Sequence, residues 1–412
     1  MKRGSGPLAS RNFLLLVCCD VISTAGSAVA TVALPFAVLA IGGSASDIGY
    51  VAAASLLPMV AFLLLGGVAG DRFPRHKVMM AANGLQAAAQ GASAALLLTG
   101  HALVWELAVL AALRGVGAGF YYPAAQGLLP QTVADGQRAK ANAIWRTGRN
   151  AAGIAGTALG GVLVGLAGPG WGLAADAASF AVAAALRAWM RFAGRPAARP
   201  AGALRLLRQG WSEFIARRWL WTVVAEYFLR SAIVSGVLTV LGPVVADASL
   251  GGARSWGLIL ACYGAGAVAG GMIMLRYRPE RMLLAAVAAA GVFAALPFAL
   301  AVPLGAPLIA VTIAVVGITS EIFVVSWFTT MQQEIPHELL SRLSAYDAMG
   351  SFALAPAGVA AAGPIAAAIG ISATLVAGGA LILALTIAVL AVPEVRRLRR
   401  LPPRRDREEL PG

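Results

Sequence analysis

Ionisable side chains stand inside long apolar runs of this chain, among them Asp20, Arg114, Glu226, Arg230 and Glu321. A charge held at mid-membrane depth costs roughly 2.5–3.5 kcal/mol on insertion scales, so each such residue is a functional candidate by default. An acid in that position can load and release a proton as its surroundings change between closed and water-filled. Asp20 and Glu321 therefore read as proton carriers. Arg114 reads as a base that biases them or binds an anionic substrate. A repeat shift of 206 positions carries Arg114 to position 320, beside Glu321, so the two are expected to face each other across the molecule. Glu226 and Arg230 lie one helical turn apart and suit a local ion pair as well as a transport role. Arg146 and Arg149 sit near the end of their run, where a long side chain reaches back to the water.

Other chemistries lack their residues. The only lysines are Lys2, Lys77 and Lys140, followed by Arg, Val and Ala, so there is no Gly-Lys-Ser/Thr phosphate loop. The stretch "HELLS" places Ser341 where a zinc motif needs its second histidine. Cys18, Cys19 and Cys262 all fall inside apolar runs and read as small core residues rather than a disulfide framework. No enzyme, metal or cofactor is expected.

The elements that must position these charges are transmembrane helices. Of 412 residues, 59% are hydrophobic and 12% charged, against about 25% charged in soluble domains. Twelve apolar runs are each long enough as a helix to cross a hydrocarbon core of roughly 30 Å. They span about 13–40, 48–69, 78–99, 104–128, 141–167, 170–189, 219–244, 255–275, 282–302, 307–331, 345–369 and 371–393. Glycines at four-residue spacing, Gly115/Gly119, Gly156/Gly160, Gly161/Gly165 and Gly266/Gly270, let neighbouring helices approach closely. Asp20 interrupts the first run, which argues against a cleaved secretory signal.

Lysines and arginines outside the runs gather on alternate connections, with Arg254 alone on the opposite side. The positive-inside rule then places both termini in the cytoplasm of a cell-membrane protein. The net charge of +14 reflects that orientation and contact with anionic membrane lipid rather than nucleic acid.

The chain is also written twice. "SAVATVALP" at 27–35 aligns with "SGVLTVLGP" at 235–243, and "GVAGDRFPRHKVMM" at 67–80 with "GMIMLRYRPERMLL" at 271–284. Two six-helix units follow, 1–189 and 219–393, joined by a linker at 190–218 and followed by a basic tail at 394–412. In the linker, Leu204, Leu207, Trp211, Phe214 and Ile215 fall at helical spacing beside arginines, which fits an interfacial helix or a solvated basic segment. Parallel repeats of this kind are a transporter architecture with the binding site between the halves.

Twelve spans in two related halves, with "GVAGDRFPRHK" between the second and third, resemble the major facilitator superfamily and its loop signature G-x-x-x-D-R-x-G-R-[KR]-[KR]. Gly67, Asp71, Arg72, Arg75 and Lys77 match; Pro74 and His76 depart from it. "RGVGAG" at 114–119 is similar to the family's fourth-helix motif. "GTALGG" at 156–161 resembles the fifth-helix antiporter motif, with Gly156, Gly160 and Gly161 matched and Thr157 in place of proline. The run "YYPAAQGLLPQTVADGQRAKANAIWRTGRN" looks like exporters related to the enterobactin-exporter group.

The resemblance implies an all-α membrane fold of two pseudo-symmetric six-helix bundles. It also implies secondary export of small amphiphilic compounds in exchange for protons by a monomer. An importer on the same fold, or a non-transporting membrane sensor, is the alternative. It further implies that Asp71 latches the eleventh helix across the halves, near Asp347, and that helix 6, with Asp176, is a support helix.

Overall fold

The computed structural model describes residues 6–190, 212–277, 279–302, 304–335, 339, 343 and 354–398. Most of the expected interfacial linker, together with Asp347 and the tail beyond 398, lies outside the described residues. Among those described there is no strand.

Long helices follow one another: α1 (Arg11–Ala40), α2 (Ala45–Arg72), α3 (Arg75–Leu98), α4 (Val104–Leu128), α5 (Arg138–Ala167) and α6 (Pro169–Ala188). After the linker come α7 (Arg218–Leu250), α8 (Gly252–Arg276), α9 (Met282–Ala301) and α10 (Ala306–Glu334). The described chain ends with α11 (Ala355–Ile369), α12 (Ile371–Leu390) and the short α13 (Pro393–Arg397). Among the described residues a helix lies within each of the expected runs, that in 345–369 from Ala355 on. Nine of these are long and apolar enough to cross a membrane. Helices α3 and α6 miss that mark because polar residues face inward on them: Asn83, Gln86, Gln90 and Ser93 on one, Asp176, Ser179 and Arg187 on the other, all buried. Helix α11 is described over 15 residues only.

Local signals explain several boundaries. Ser44 and Asp47 form a reciprocal capping box that starts α2, with the Ser44 amide donating to the Asp47 carboxylate at 2.8 Å. Ser10 caps α1 and donates through Oγ to the Thr132 carbonyl at 2.6 Å, which ties the chain's start to the end of α4. Helix α7 runs past its expected end near 244 to Leu250, through the π-helical stretches Val237–Leu241 and Ala246–Leu250.

Packing falls into two sets. In the first, α2 lies on α4, α3 on α4 and α6, and α1 on α5 and α6; in the second, α8 lies on α10, α9 on α10 and α12, and α7 on α11. Glycine makes the closest approaches. Gly115 and Gly119 admit the α2 backbone at Ser55 and Met59, while Gly266 and Gly270 admit α10 at Ala314 and Ile318. Between the sets, α5 packs on α8 and α2 on α11. Gly161 of α5 lies against Gly257 of α8 so closely that a Cβ on Gly161 would stand 2.9 Å from the Gly257 Cα.

The apolar cores show where the sets are joined. One cluster mixes both: Val32, Phe36, Ile48 and Val51 with Val240, Leu241, Trp256 and Val359. It occupies the end that carries the α1–α2 and α7–α8 connections. At the opposite end, which carries the basic α2–α3 and α8–α9 connections, each set has its own core. Phe13, Leu16, Met79 and Leu128 belong to one, and Trp219, Leu283, Trp327 and Val389 to the other.

Candidate functional site

Arg114 sits midway along α4. Five residues earlier, Val109 is exposed and marks the outer face of that helix. At about 100° per residue, Arg114 lies roughly 140° round from it, between the glycine face that meets α2 and the Gly117 face that meets Gln86 of α3. It therefore reaches inward. Its Nε stands 3.7 Å from Oδ2 of Asp176 on α6, with the Arg114 side chain 24% exposed and the Asp176 side chain fully buried. Asp176 also accepts from Gln90 Nε2 of α3 at 2.9 Å and from Ser27 Oγ of α1 at 3.4 Å. The guanidinium lies 6.0 Å from the centre of the Phe180 ring, one turn along α6. The expected pairing of Arg114 with Glu321 is not formed; its ionic partner is Asp176, which the sequence suggested only as packing. An arginine on an inward face takes the nearest acid within its own bundle, and α6 supplies one.

Asp20 of α1 is completely buried. Arg187 of α6 donates to its Oδ1, as does the Tyr121 hydroxyl of α4 at 2.7 Å, and the Trp145 indole of α5 donates to Oδ2 at 2.6 Å. Four helices thus meet at one carboxylate. Arg187 also lies over the Tyr121 ring at 5.3 Å. Charge-assisted bonds of this kind are the strong ones, and removing one partner leaves an uncompensated buried charge.

The second set has its own buried charges. Arg230 Nε donates to Glu226 Oε1 at 2.7 Å, as the one-turn spacing on α7 predicted, with both side chains at most 3% exposed. Three rings, Tyr227, Phe293 and Phe323, surround the guanidinium at 4.6–5.0 Å. The aromatic contacts replace solvent around the cation. Beside it, Tyr227, Phe323 and Trp327 stack in sequence along α7 and α10. Glu321 on α10 is half-buried and packs against Gly270 and Gly271 of α8. Among the described residues it forms no ion pair.

The loop motif is resolved into separate jobs. Arg75 donates from Nη1 to the Gly127 carbonyl at 2.5 Å and from Nε to the Gly70 carbonyl at 3.3 Å, stapling the α2–α3 turn onto α4 within one set. Arg72 and Lys77 are exposed, and Gly67 has open space where a Cβ would stand. Burial, and then Lys77 beside it, hold the His76 imidazole below its usual range, so this turn carries one positive charge fewer at neutral pH than a lysine or arginine there would give. The Asp71 side chain and residues 344–353, its expected partner region, lie outside the described residues. In the second set Pro279 stands at the repeat position of Arg75. A cavity of roughly 340 Å³, lined by Met274, Leu275, Thr329 and Gln333, occupies the corresponding place.

The antiporter-like glycines divide by face. Gly156 meets Ala25 and Ala28 of α1 and Gly160 meets Val29, whereas Gly161 turns to α8 and lies between the two sets.

Residues 16–358 match the family model described as Major Facilitator Superfamily. The chain belongs to the major facilitator superfamily. A curated relative, the "Multidrug efflux pump Tap" of Mycolicibacterium fortuitum, is 28% identical over 407 residues, covering 95% of this chain and 97% of that protein. Two solved structures share the superfamily fold at low identity. The nucleoside transporter NupG superposes with TM-score 0.71 at 13% identity, over 94% of this chain and 100% of NupG. A bacterial homologue of the iron transporter ferroportin in an inward-facing state gives TM-score 0.70 at 16% identity, over 93% and 99%.

Within this superfamily member the sequence located Asp20, Arg114, Glu226, Arg230 and Glu321 and the Glu226–Arg230 pair, but not the partners of Asp20 and Arg114. Arg187 was the largest omission, because it stands just before the basic linker and reads as one of its charges. Tyr121 and Trp145 carry no sequence signal of their own. Their alignment with Asp20 on adjacent helices is a property of the packing.

Proposed function

We propose that the chain exports small amphiphilic organic compounds across the cell membrane, in exchange for protons, by alternating exposure of a site between its two bundles. The observation that carries this reading is the division of the apolar cores. One core shared at the end opposite the basic loops, and two separate cores at the basic end, suit bundles that rock about the joined end. With the basic end cytoplasmic, as the charge distribution favours, this arrangement suits an inward-open carrier ready to take cargo from the cell. The relative named a multidrug efflux pump matches along almost its whole length, which supports export of drug-like cargo. Both termini are then cytoplasmic and the monomer is the working unit.

Reconstitution tests this directly. Vesicles carrying the protein in inside-out orientation should accumulate a fluorescent lipophilic cation such as ethidium when their interior is made acidic. Dissipating the gradient should stop accumulation, and an unlabelled competitor should slow it. Accumulation that is indifferent to the gradient removes proton exchange. Failure of any of a panel of amphiphilic cations and neutral compounds to be carried removes the exporter reading.

A further inference from the structure

Asp20, Asp176, Glu226 and Glu321 are buried or half-buried carboxylates away from the ends of their helices, and they differ in how firmly they are held. Asp20 receives three donors from three helices, among them an arginine with no exposed side-chain surface. Glu226 is locked to Arg230 at 2.7 Å, inside an aromatic box. Glu321 has no counter-charge among the described residues. Asp176 alone is fully buried while its counter-charge is partly open to solvent: Arg114 is 24% exposed, stands at 3.7 Å, and its Nε makes no hydrogen bond. Other charges on the elements packed against α6 are Arg11 and Asp20 of α1, Arg75, His76 and Lys77 of α3, and Arg138, Lys140, Arg146 and Arg149 of α5, with Arg187 on α6 itself. Among the described residues none of these forms an ion pair with Asp176.

We propose that Asp176 is the carboxyl group that takes the proton in the exchange, and that Arg114 reports its state to the space between the bundles; this rests on the reading of the chain as a proton-driven exporter. With Asp176 ionised, the pair is neutral and the inward face of α4 carries no net charge. A cationic or neutral amphiphile can then occupy the site. When a proton binds, an O–H bond forms on the Asp176 carboxyl, and the Arg114 guanidinium is left as an uncompensated cation on that face. That charge repels a lipophilic cation by an amount that grows in the low-dielectric interior. Proton and cargo therefore exclude one another, which is the condition for exchange rather than co-transport. Gln90 and Ser27 keep the carboxyl in place in both states, so Asp176 need not move for the charge to be exposed. The favoured cargo is cationic or neutral, not anionic, in the proton-free state.

Infrared difference spectroscopy on the full chain in lipid, titrated between about pH 9 and 5, tests the proton site without any substrate. A protonated-carboxyl carbonyl band should grow in as the pH falls. Asp176→Asn should remove it, Asp176→Glu should restore a band at a shifted frequency, and Arg114→Gln should move its midpoint. Asp20→Asn and Glu321→Gln should leave the midpoint in place. Absence of the band in the wild-type protein, or its loss in Glu321→Gln but not in Asp176→Asn, overturns the assignment. In vesicles, Asp176→Asn should lose accumulation against a gradient while keeping downhill exchange of ethidium; retained uphill accumulation also overturns it. Because the spectroscopic arm needs no cargo, its failure is distinct from failure of the export reading.

Discussion

At the residue scale, the buried charges separate into structural locks and working groups. The Glu226–Arg230 pair has almost no exposed surface and is boxed by rings. Cutting one partner of such a pair destabilises by roughly 3–5 kcal/mol, whereas replacing both by apolar residues of similar volume is often close to neutral. Glu226→Ala should therefore lower the thermal unfolding midpoint in detergent substantially, and the double variant Glu226→Leu with Arg230→Met should recover much of it. A double variant as unstable as the single one would assign the pair a role beyond neutralisation. Glu321, by contrast, is half-buried and without a counter-charge among the described residues, and on the proposed reading it is open to cargo. Glu321→Gln should raise the KM for ethidium in vesicles more than it lowers the maximal rate, as expected for lost attraction to a cation. An unchanged KM removes Glu321 from the cargo site. The sequence exposed these acids because each interrupts an apolar run. It could not show that Arg114 turns to Asp176 and that Asp20 is met by Arg187, since both choices depend on which helix faces which.

At the element scale, apolar length and glycine spacing made the helices legible to within a few residues, apart from the extension of α7 to Leu250 and the start of the eleventh span, which lies outside the described residues. Helices α3 and α6 were located as closely as the others although their inward polar residues dilute the apolar signal that marks a span. Gly161 reads in sequence as part of a single motif with Gly156 and Gly160. Its separate duty at the α5–α8 contact appears only once the two sets are packed. A valine there has no room against Gly257 and Ala253. Gly161→Val should therefore push α5 from α8 at the joined end and shift the population toward molecules open on that side. Spin labels on Ser44 and Ser249, both exposed at this end, should report longer distances by double electron–electron resonance, while Gly153→Val, with open space at its Cβ position, should leave them unchanged. The Arg75 staple gives a complementary test. Arg75→Met forfeits a charge-assisted bond to the Gly127 carbonyl, with typical worth of about 1.5–3 kcal/mol, and frees the α2–α3 turn from α4. Turnover should fall more than affinity does; equal turnover at equal expression would show that the staple is dispensable.

At the scale of the whole molecule, two properties set the direction of work: which end is joined and which end faces the cell. The shared core of Phe36, Ile48, Trp256 and Val359 joins the sets at one end, and among the described residues the cores around Leu128 and Trp327 at the other end are separate. Basic residues mark the divided end, Arg72 and Lys77 on one bundle and Arg276 and Arg281 on the other. The anionic inner leaflet and the positive-inside bias both draw that end to the cytoplasm. On the proposed reading, the resting molecule opens inward to take cargo from the cell, and an acid exterior supplies the protons that return it. Single cysteines at Ser44, on the joined end, and at Glu280, on the divided end, both exposed, decide the orientation in intact cells. An impermeant maleimide added outside should label the cysteine at 44 and spare the one at 280 until the membrane is permeabilised. Labelling of the cysteine at 280 from outside would invert the molecule, and with it the predicted direction of transport, because the same open cleft would then collect its cargo from the medium.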